Sequence, residues 1–394
     1  MGCLVSTPND SGGNRFPKNV GEIMVFVPGL RIPKPVDFVQ PLGDGLTKNL
    51  IERLSALRTR IVVMAGQEAP RAAKPRRTAT QHGGSTLADL QQALEDYLPV
   101  LLGLVYNEHN ADDKLQHKCQ FSWVNQEDDE KETIMSNSWY EVLSVLHLMA
   151  MLTLSQANCL LLTKSSTDGY QVSEECRRAS IDLLLKAAGY LDFAIRHVLP
   201  QFTPELRKDL PLDLAEGVLE ALSLQALGQV VDIQLGMAIE SIQATLAVKR
   251  RLACELLKYW HQAQENIVNL PLANRWGQKH KLFIKWKHNE AEAAAYYYHG
   301  LILEEGNTER FHVMAVEALQ AADQFLKESN KASKSFNITL PLSRGGAPKE
   351  IVKVISPGKA SNFNSQSATL AFLRANYDLI INDEHVWISK AEAR

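Results

Sequence analysis

A long uncharged stretch constrains the fold of this chain more than any other feature. Residues 142–163 (VLSVLHLMAMLTLSQANCLLLT) contain no Asp, Glu, Lys or Arg. A helix of that length could span a bilayer. However, the stretch carries polar side chains, and a helix that is apolar almost all round also suits the centre of a helical array. We therefore predict a buried helix of a soluble protein; its polar residues are Ser144, His147, Thr153, Ser155, Gln156 and Asn158.

Helical periodicity dominates the rest of the chain. Apolar residues recur at three-to-four spacing in 46–65 and from residue 85 on, whereas 22–45 carries four prolines and favours extended chain. Small residues at 187–189 and 291–295 would let helices approach closely, as in tetratricopeptide-like solenoids. We therefore predict a mostly α fold. Its helices are expected near 137–163, 172–199, 212–234, 236–268, 279–305 and 308–332.

Three segments lack a helical pattern and bound the predicted domain. Residues 1–21 are expected to be flexible, and residues 333–394 are expected to wrap over the helical body. Residues 66–84 are expected to form a basic, mobile loop, either a solvated insertion or a contact with anionic lipid. Its basic residues, the candidates for membrane contact, are Arg71, Lys74, Arg76 and Arg77.

Composition and motifs favour binding over catalysis. The net charge of −3 gives no global attraction to nucleic acid. The five cysteines are widely spaced without a Cys-x-x-Cys pair, which is typical of reduced thiols. No phosphate loop, dinucleotide fingerprint, nucleophile elbow or zinc-protease motif occurs. His280 and His288 are eight residues apart, too far for a metal pair on one helix. We predict no catalytic residues, metal, cofactor or small-molecule substrate.

The segment 277–288 (GQKHKLFIKWKH) interleaves basic and aromatic residues. On a helix, Leu282, Phe283 and Trp286 share an inward face, and we expect the lysines to point to water. The alternative is a patch for an acidic lipid or partner. The lysines concerned are Lys279, Lys281, Lys285 and Lys287.

The central helix carries a motif that resembles a known family. In residues 138–157, Glu141 precedes Ser-Val-Leu at 144–146, and Ser-Gln-Ala follows at 155–157. This pattern resembles the signature helix of the BRO domain, the module of ALIX-like endosomal proteins, although His147 and Leu148 stand where an Asn is often found. Five further segments resemble the same domain in the same order: 25–42, 187–189, 222–229, 290–326 and 378–387. The resemblance therefore covers residues 22–394.

The resemblance implies an elongated, curved, tetratricopeptide-like helical solenoid with a small β-element near the N-terminus. It also implies an adaptor that binds the C-terminal amphipathic helix of an ESCRT-III subunit in endosomal sorting, by helix-in-groove recognition. Since the Gln-rich helix at 222–229 is degenerate, a scaffold for a different peptide remains the alternative. By position, the groove residues are expected to be Leu219, Leu222, Val316 and Leu319. The chain stops where the domain ends, so the coiled domain and proline-rich tail of longer relatives are expected to be absent.

The N-terminus, MGCLVS, fits a lipidation motif. Gly2 followed by Ser6 matches the myristoylation pattern, and Cys3 offers a thioester site for a second acyl chain. One myristoyl chain alone gives marginal binding, whereas two chains anchor stably. We therefore expect a lipid-anchored peripheral protein on the cytoplasmic face of endosomal or plasma membranes.

Overall fold

The computed structural model describes residues 25–43, 45–72, 87–106, 117–125, 132–161, 172–272, 275–306 and 308–339. Within them the chain forms ten α-helices and three β-strands, so the predicted mostly α fold is confirmed. The strands are β1 (Arg31–Pro33), β2 (Phe121–Asn125) and β3 (Glu132–Met135). The helices are α1 (Val39–Leu42), α2 (Lys48–Ala72), α3 (Leu87–Val105), α4 (Ser138–Leu161), α5 (Glu174–Phe193), α6 (Pro204–Lys208), α7 (Glu216–Glu240), α8 (Leu246–Val268), α9 (Arg275–Glu304) and α10 (Glu309–Ile338).

The long helices pack mainly in chain order. Contacts run from α2 to α3, then to α4, α5, α7, α8, α9 and α10. Neighbours of this kind bury each helix on two or more sides, which is the arrangement of a helical solenoid. One continuous apolar core extends from Val25 to Phe336.

Helix α4 contains most of the uncharged stretch and lies in the core. By length and composition α4 and α7 could each cross a membrane, but 78% of the apolar window of α4 is buried inside the protein. All residues from Ser138 to Leu154 are buried, and α4 packs against α3, α5 and the sheet. The structure thus agrees with the prediction of a buried helix.

The small β-element is a three-stranded antiparallel sheet in the order β1-β2-β3. Ile32 pairs with Val124, and Trp123 pairs with Thr133. Pro33 ends the edge strand β1, where a proline costs few ladder hydrogen bonds. Strand β1 comes from the proline-rich extended segment, as predicted, whereas β2 and β3 precede residue 137 in a region for which we predicted no strand.

Two predicted boundaries are wrong. Helix α2 continues to Ala72, so the predicted loop 66–84 begins within a helix and Arg71 belongs to α2. Helix α10 continues to Ile338, so the predicted wrap 333–394 also begins as helix. Lys74, Arg76 and Arg77, the segment 1–21 and residues 340–394 lie outside the described residues.

Candidate partner-binding surface

Helix α7 buries the two residues that we predicted to contact a partner. Leu219 and Leu222 have no exposed surface and belong to the core. The prediction is therefore wrong for both, because a partner cannot reach them without unfolding α7. The physical reason is that α7 is apolar almost all round and packs against both α5 and α8, so its periodicity does not reveal the outward face.

The other two predicted residues lie on α10. Val316 is 48% exposed. Leu319 is half-buried against Gly300 of α9, where an added Cβ would be 2.9 Å from the Leu319 Cγ. Because α8 and α9 follow α7 in the packing order before α10, the four predicted residues do not form one strip.

The outward face of α7 forms a different strip. Six residues on one face of α7 keep exposed surface, and their spacing of three, four and seven residues is that of a single helical face. We call this face the α7 strip: Glu220, Ser223, Leu224, Leu227, Gln234 and Ala238. Leu224 and Leu227 are half-buried leucines at its centre, so the strip is apolar in the middle and polar towards both ends.

Exposed apolar side chains also occur on α5 and α8, the two helices that pack against α7. On α8, Val248 is 47% exposed, and Leu252 and Tyr259 are half-buried on the same face. On α5, Leu185 is 47% exposed. At the C-terminal end of α7 the surface deepens into a cleft of about 770 Å³, which Ala238 also lines.

The charged side chains on and beside the α7 strip include both signs: Glu216 lies 3.9 Å from Arg207, and Glu255 lies 3.8 Å from Lys258. Burial, followed by repulsion from Glu216, raises the pKa of Glu220. Burial and a hydrogen bond to Glu255 raise the pKa of Tyr259 on the α8 flank. In the cleft, Arg177 of α5 pairs with Glu240 through two bonds of 2.7 and 2.8 Å. A basic residue on an apolar partner helix would complement Glu220.

The buried side of α7 is fixed by hydrogen bonds and close packing. Gln225 donates a 2.8 Å bond to the carbonyl oxygen of Phe26, and its Oε1 is 3.0 Å from Nε2 of His280. A Cβ on Gly228 would lie 3.1 Å from the Trp260 indole, so α8 approaches α7 closely there. These contacts hold the outward strip in place. Gln225 is a structural residue that the degenerate Gln-rich motif did not identify.

A buried ion pair ties the sheet to the start of α7. Arg31 Nη1 lies 2.6 Å from Oδ2 of Asp213, just before α7, and Asn125 donates a further bond to Asp213. Burial would raise the pKa of the Asp213 carboxyl, but the Arg31 charge and these bonds outweigh it and lower the pKa. Arg31 Nη2 also donates to Tyr140 and Thr133.

A second buried ion pair joins four elements around α4. We call it the Glu141 cluster: Arg58 of α2, Tyr97 of α3, Trp123 of β2 and Glu141 of α4. Glu141 accepts bonds from Arg58 at 2.6 Å, Trp123 at 2.6 Å and Tyr97 at 3.2 Å. The Arg58 guanidinium also lies over the Trp123 ring, 5.1 Å from its centroid. Glu141, part of the motif quoted above, thus has a structural role.

Two of the four lysines in 277–288 are buried, which contradicts our expectation. Lys279 and Lys287 are each 1% exposed. Lys279 donates to the carbonyl oxygen of Thr339 at the C-terminal end of α10 and lies over the Phe336 ring. Such a bond satisfies a carbonyl group that the helix end leaves without a partner.

Lys287 belongs to what we call the Lys287 cluster: Asp232 of α7 with Trp286, Lys287 and Glu290 of α9. Its Nζ is 2.8 Å from Glu290 Oε2 and 3.4 Å from Asp232 Oδ2. It also lies 5.1 Å from the Trp286 ring centroid. The lysines that remain available to solvent are Lys285, which is exposed, and Lys281, which is half-buried.

The remaining predicted site residues lie outside the described part of the structure. They are Gly2, Cys3, Lys74, Arg76 and Arg77, whereas Arg71 belongs to α2. The lipid anchor and the basic membrane contact therefore stay predictions.

Comparison with known proteins identifies the family. The model of the BRO1-like domain matches residues 31–357. No curated protein matches the sequence. The fold is similar to ALIX bound to the SIVmac239 PYKEVTEDL late domain, with a TM-score of 0.57, 16% identity and coverage of 79% of this chain and 44% of that one. The chain thus spans less than half the length of that ALIX structure.

Two further solved structures share the fold. The Bro1 domain whose structure concerns endosomal targeting has a TM-score of 0.51 at 14% identity, over 79% of this chain and 84% of that one. The complex of the ALIX BRO1 domain with CHMP4C has a TM-score of 0.52 at 15% identity, over 87% and 98%. Identities this low show the fold alone. Together with the match over residues 31–357, they place the chain in the BRO1-like domain family.

Proposed function

We propose that this protein is a non-enzymatic adaptor that binds the C-terminal amphipathic helix of an ESCRT-III subunit along the α7 strip. The observation that carries the proposal is an apolar strip with helical spacing on the outward face of α7. The fold shared with the ALIX BRO1 domain, which has been solved in complex with CHMP4C, supports this choice of partner.

The α7 strip matches what helix-in-groove recognition needs. A bound helix presents apolar anchors at positions i, i+3, i+4 and i+7 to a hydrophobic groove. We assign the floor of such a groove to Leu224 and Leu227, and its walls to the exposed side chains of Leu185 and Val248 on the packed helices α5 and α8. Glu220 favours a partner whose helix carries Lys or Arg beside its anchors. Glu216 and Glu255 already have Arg207 and Lys258 at 3.9 and 3.8 Å.

The test is binding of labelled ESCRT-III C-terminal helix peptides, including that of CHMP4C, measured by fluorescence polarisation. Leu227→Asp should weaken binding about 10- to 100-fold, because one buried leucine contributes about 1.5–3 kcal/mol. Val248→Asp on the α8 flank should weaken it in the same direction. Both side chains have exposed surface, so circular dichroism should show an intact fold.

The control is Val316→Asp on α10, which is 48% exposed and away from the α7 strip. It should bind the peptides like the unchanged protein. If Val316→Asp abolishes binding and Leu227→Asp does not, the groove lies on α10. If the unchanged protein binds no ESCRT-III peptide, the adaptor serves a different peptide, and the degenerate helix at 222–229 is the feature that favours this alternative.

The second part of the proposal is a lipid anchor that holds the adaptor on the cytoplasmic face of endosomal or plasma membranes. Gly2 and Ser6 fit the myristoylation pattern, and Cys3 is the candidate for a second acyl chain. Gly2→Ala should move the protein to the soluble fraction of cells, and Cys3→Ser should reduce its membrane residence. A Gly2→Ala variant that fractionates with membranes like the unchanged protein would contradict the anchor.

A further inference from the structure

The end of α10 lies at the same end of the helical array as the start of α7. The carbonyl oxygen of Thr339, just after α10, accepts a 3.1 Å bond from Lys279 near the start of α9. Lys281 of α9 donates a 2.8 Å bond to the carbonyl oxygen of Leu270, just after α8. A Cβ on Gly217, in the first turn of α7, would lie 3.3 Å from Leu270 Cδ1. Residue 340 therefore follows at the end of the array where the α7 strip begins.

The sequence after Thr339 carries one further amphipathic pattern. Residues 359–394 contain no Pro or Gly, whereas residues 340–358 contain three of each and favour a linker. Apolar residues recur at positions 370, 373, 377 and 381, with spacings of three, four and four. This spacing predicts a helix whose apolar face includes Leu370, Leu373, Tyr377 and Ile381. We call residues 366–381 the C-terminal segment; they lie outside the described residues.

We propose that the C-terminal segment docks as a helix on the α7 strip of its own chain and competes there with the partner helix. Anchors at three-to-four spacing are what helix-in-groove recognition uses. Leu373 and Tyr377 are the central anchors, and Leu224 and Leu227 are the surface that receives them. The competition rests on the proposed function, whereas the docking itself can be measured without any ESCRT-III subunit.

The dimensions of the segment and of the strip agree. A helix of 16 residues is about 24 Å long, and the strip from Glu220 to Ala238 extends over about 27 Å of α7. The 26 residues 340–365 join Thr339 to the segment. A flexible linker of this length has an end-to-end distance of about 25–30 Å, and it reaches about 85 Å when extended. Since the whole of α7 is about 38 Å long, the linker can bring the segment onto the strip.

The charges of the two surfaces are complementary where the strip begins. Glu220 lies near the start of α7, and among the described residues it has no ion-pair partner. Burial and repulsion from Glu216 raise the pKa of Glu220, so a cation beside it would be stabilising. Arg374 is the only basic residue of the C-terminal segment and stands next to the anchor Leu373. The single acidic residue of the segment, Asp378, follows one turn later.

A covalent linker makes even a weak contact effective. A short flexible linker gives its ligand an effective concentration on the order of 1 mM. A segment that binds the strip with a Kd of about 0.1 mM then occupies it for about 90% of the time. A partner helix that competes for the same strip binds about 10-fold more weakly as a result.

The first test is photo-crosslinking of the full-length chain, with the crosslinker benzoylphenylalanine placed at position 373. After irradiation, mass spectrometry of the monomeric product should locate the crosslink within α7. Leu227→Asp in the same chain should reduce this crosslink several-fold. The matched control carries the crosslinker at position 375, on the opposite side of the predicted helix, and should give no link to α7. Crosslinks only to other helices, only between two chains, or unchanged by Leu227→Asp overturn the proposal.

The second test is binding of ESCRT-III C-terminal helix peptides to full-length variants by fluorescence polarisation. Leu373→Asp should bind about 10-fold more tightly than the unchanged protein, whereas Ala375→Asp should bind like it. Equal affinities of Leu373→Asp and the unchanged protein overturn the competition. If no variant binds the peptides but position 373 still crosslinks to α7, the proposed function fails and the docking stands. If Leu373→Asp does not fold, as judged by circular dichroism, the crosslinking result decides.

Discussion

The Glu141 cluster and the Lys287 cluster each bury a glutamate beside a cation, but the hydrogen bonds around the two glutamates differ. In each, a cation lies 5.1 Å from a tryptophan ring centroid and pairs with a buried glutamate. Glu141, however, accepts bonds from three side chains on three other elements. Among the described residues, Glu290 accepts one bond, from Lys287 on its own helix, and shares that lysine with Asp232.

The two clusters also differ in how burial shifts the pKa values of their side chains. Burial raises the pKa of Glu290, and the attraction of Lys287 only partly offsets it. At the Glu141 cluster burial raises the pKa of Tyr97 well above its usual value, which keeps that hydroxyl a hydrogen-bond donor to Glu141. Donors from three separate elements satisfy the carboxylate of Glu141, whereas burial favours the neutral form of Glu290. We therefore expect substitutions to affect the first cluster most.

The largest effect should come from Glu141→Gln. The change leaves the Arg58 charge buried without its counter-ion, which typically costs about 3–5 kcal/mol. We expect a loss of that size in the free energy of unfolding, measured by urea denaturation. A loss below about 1 kcal/mol would mean that the cluster is not what holds α2, α3 and β2 on α4.

Acidification should lower the free energy of unfolding almost as much. The group responsible is His280, on the same helix as Lys287. Burial lowers the pKa of His280 to about 3, against about 6.5 in the unfolded chain. The unfolded state therefore binds the proton first as the pH falls below 6.5. Stability present above pH 6.5 should decrease by about 1.4 kcal/mol per pH unit from this group, over the range from 6.5 towards 3.

Urea denaturation at pH 7.0, 5.5 and 4.5 measures that slope. His280→Gln should reduce the slope by the amount that His280 contributes, whereas the exposed His312→Gln should leave it unchanged. Equal slopes in the unchanged protein and in His280→Gln would show that His280 is not held neutral in the folded state.

Arg58→Lys should have an intermediate effect. The substitution keeps the charge but removes the planar fork that contacts both carboxylate oxygens of Glu141, at 2.6 and 3.4 Å. We expect a loss of about 2 kcal/mol, within the usual range for an unsatisfied buried group. The measurement is urea denaturation in parallel with Glu141→Gln. If Arg58→Lys leaves the free energy of unfolding unchanged, the charge of residue 58 alone accounts for the stability of the cluster.

The smallest effect should come from Glu290→Gln. Because burial already favours the neutral form of Glu290 and Asp232 stays as a partner for Lys287, we expect a loss of only about 1 kcal/mol. The same urea measurement provides the comparison. If Glu290→Gln lowers the free energy of unfolding as much as Glu141→Gln does, the two clusters do not differ in their contribution to stability.

The sequence predicted what depends on local periodicity. Helix α4 was identified because residues 142–163 carry no charges, and β1 because prolines exclude a helix there. Strands β2 and β3 were missed because they are short and interrupted by polar residues, so neither shows a long alternation. Their pairing, and the position of Trp123 against Glu141, depend on contacts between distant parts of the chain.

The candidate site was predicted less well, for a related reason. A helix that is buried on several sides shows no single apolar face, so Leu219 and Leu222 could not be told from Leu224 and Leu227 by spacing. Lys279 and Lys287 were expected in water because lysine is rarely buried without a partner. Lys279 finds its partner in Thr339, just after α10, and Lys287 pairs with Asp232 of α7 as well as with Glu290 on its own helix.

The ion pair between Arg31 and Asp213 has a consequence for synthesis of the chain. The two residues are 182 positions apart, and Gln225 is 199 positions from its acceptor, Phe26. At about 5–20 residues per second, the ribosome needs roughly 10–40 s to add Asp213 after Arg31. During that interval Arg31 of β1 lacks its counter-ion, Asp213. The carbonyl group of Phe26 likewise lacks its hydrogen bond from Gln225 of α7. These two native contacts of the N-terminal segment therefore cannot form until more than half of the chain has been made.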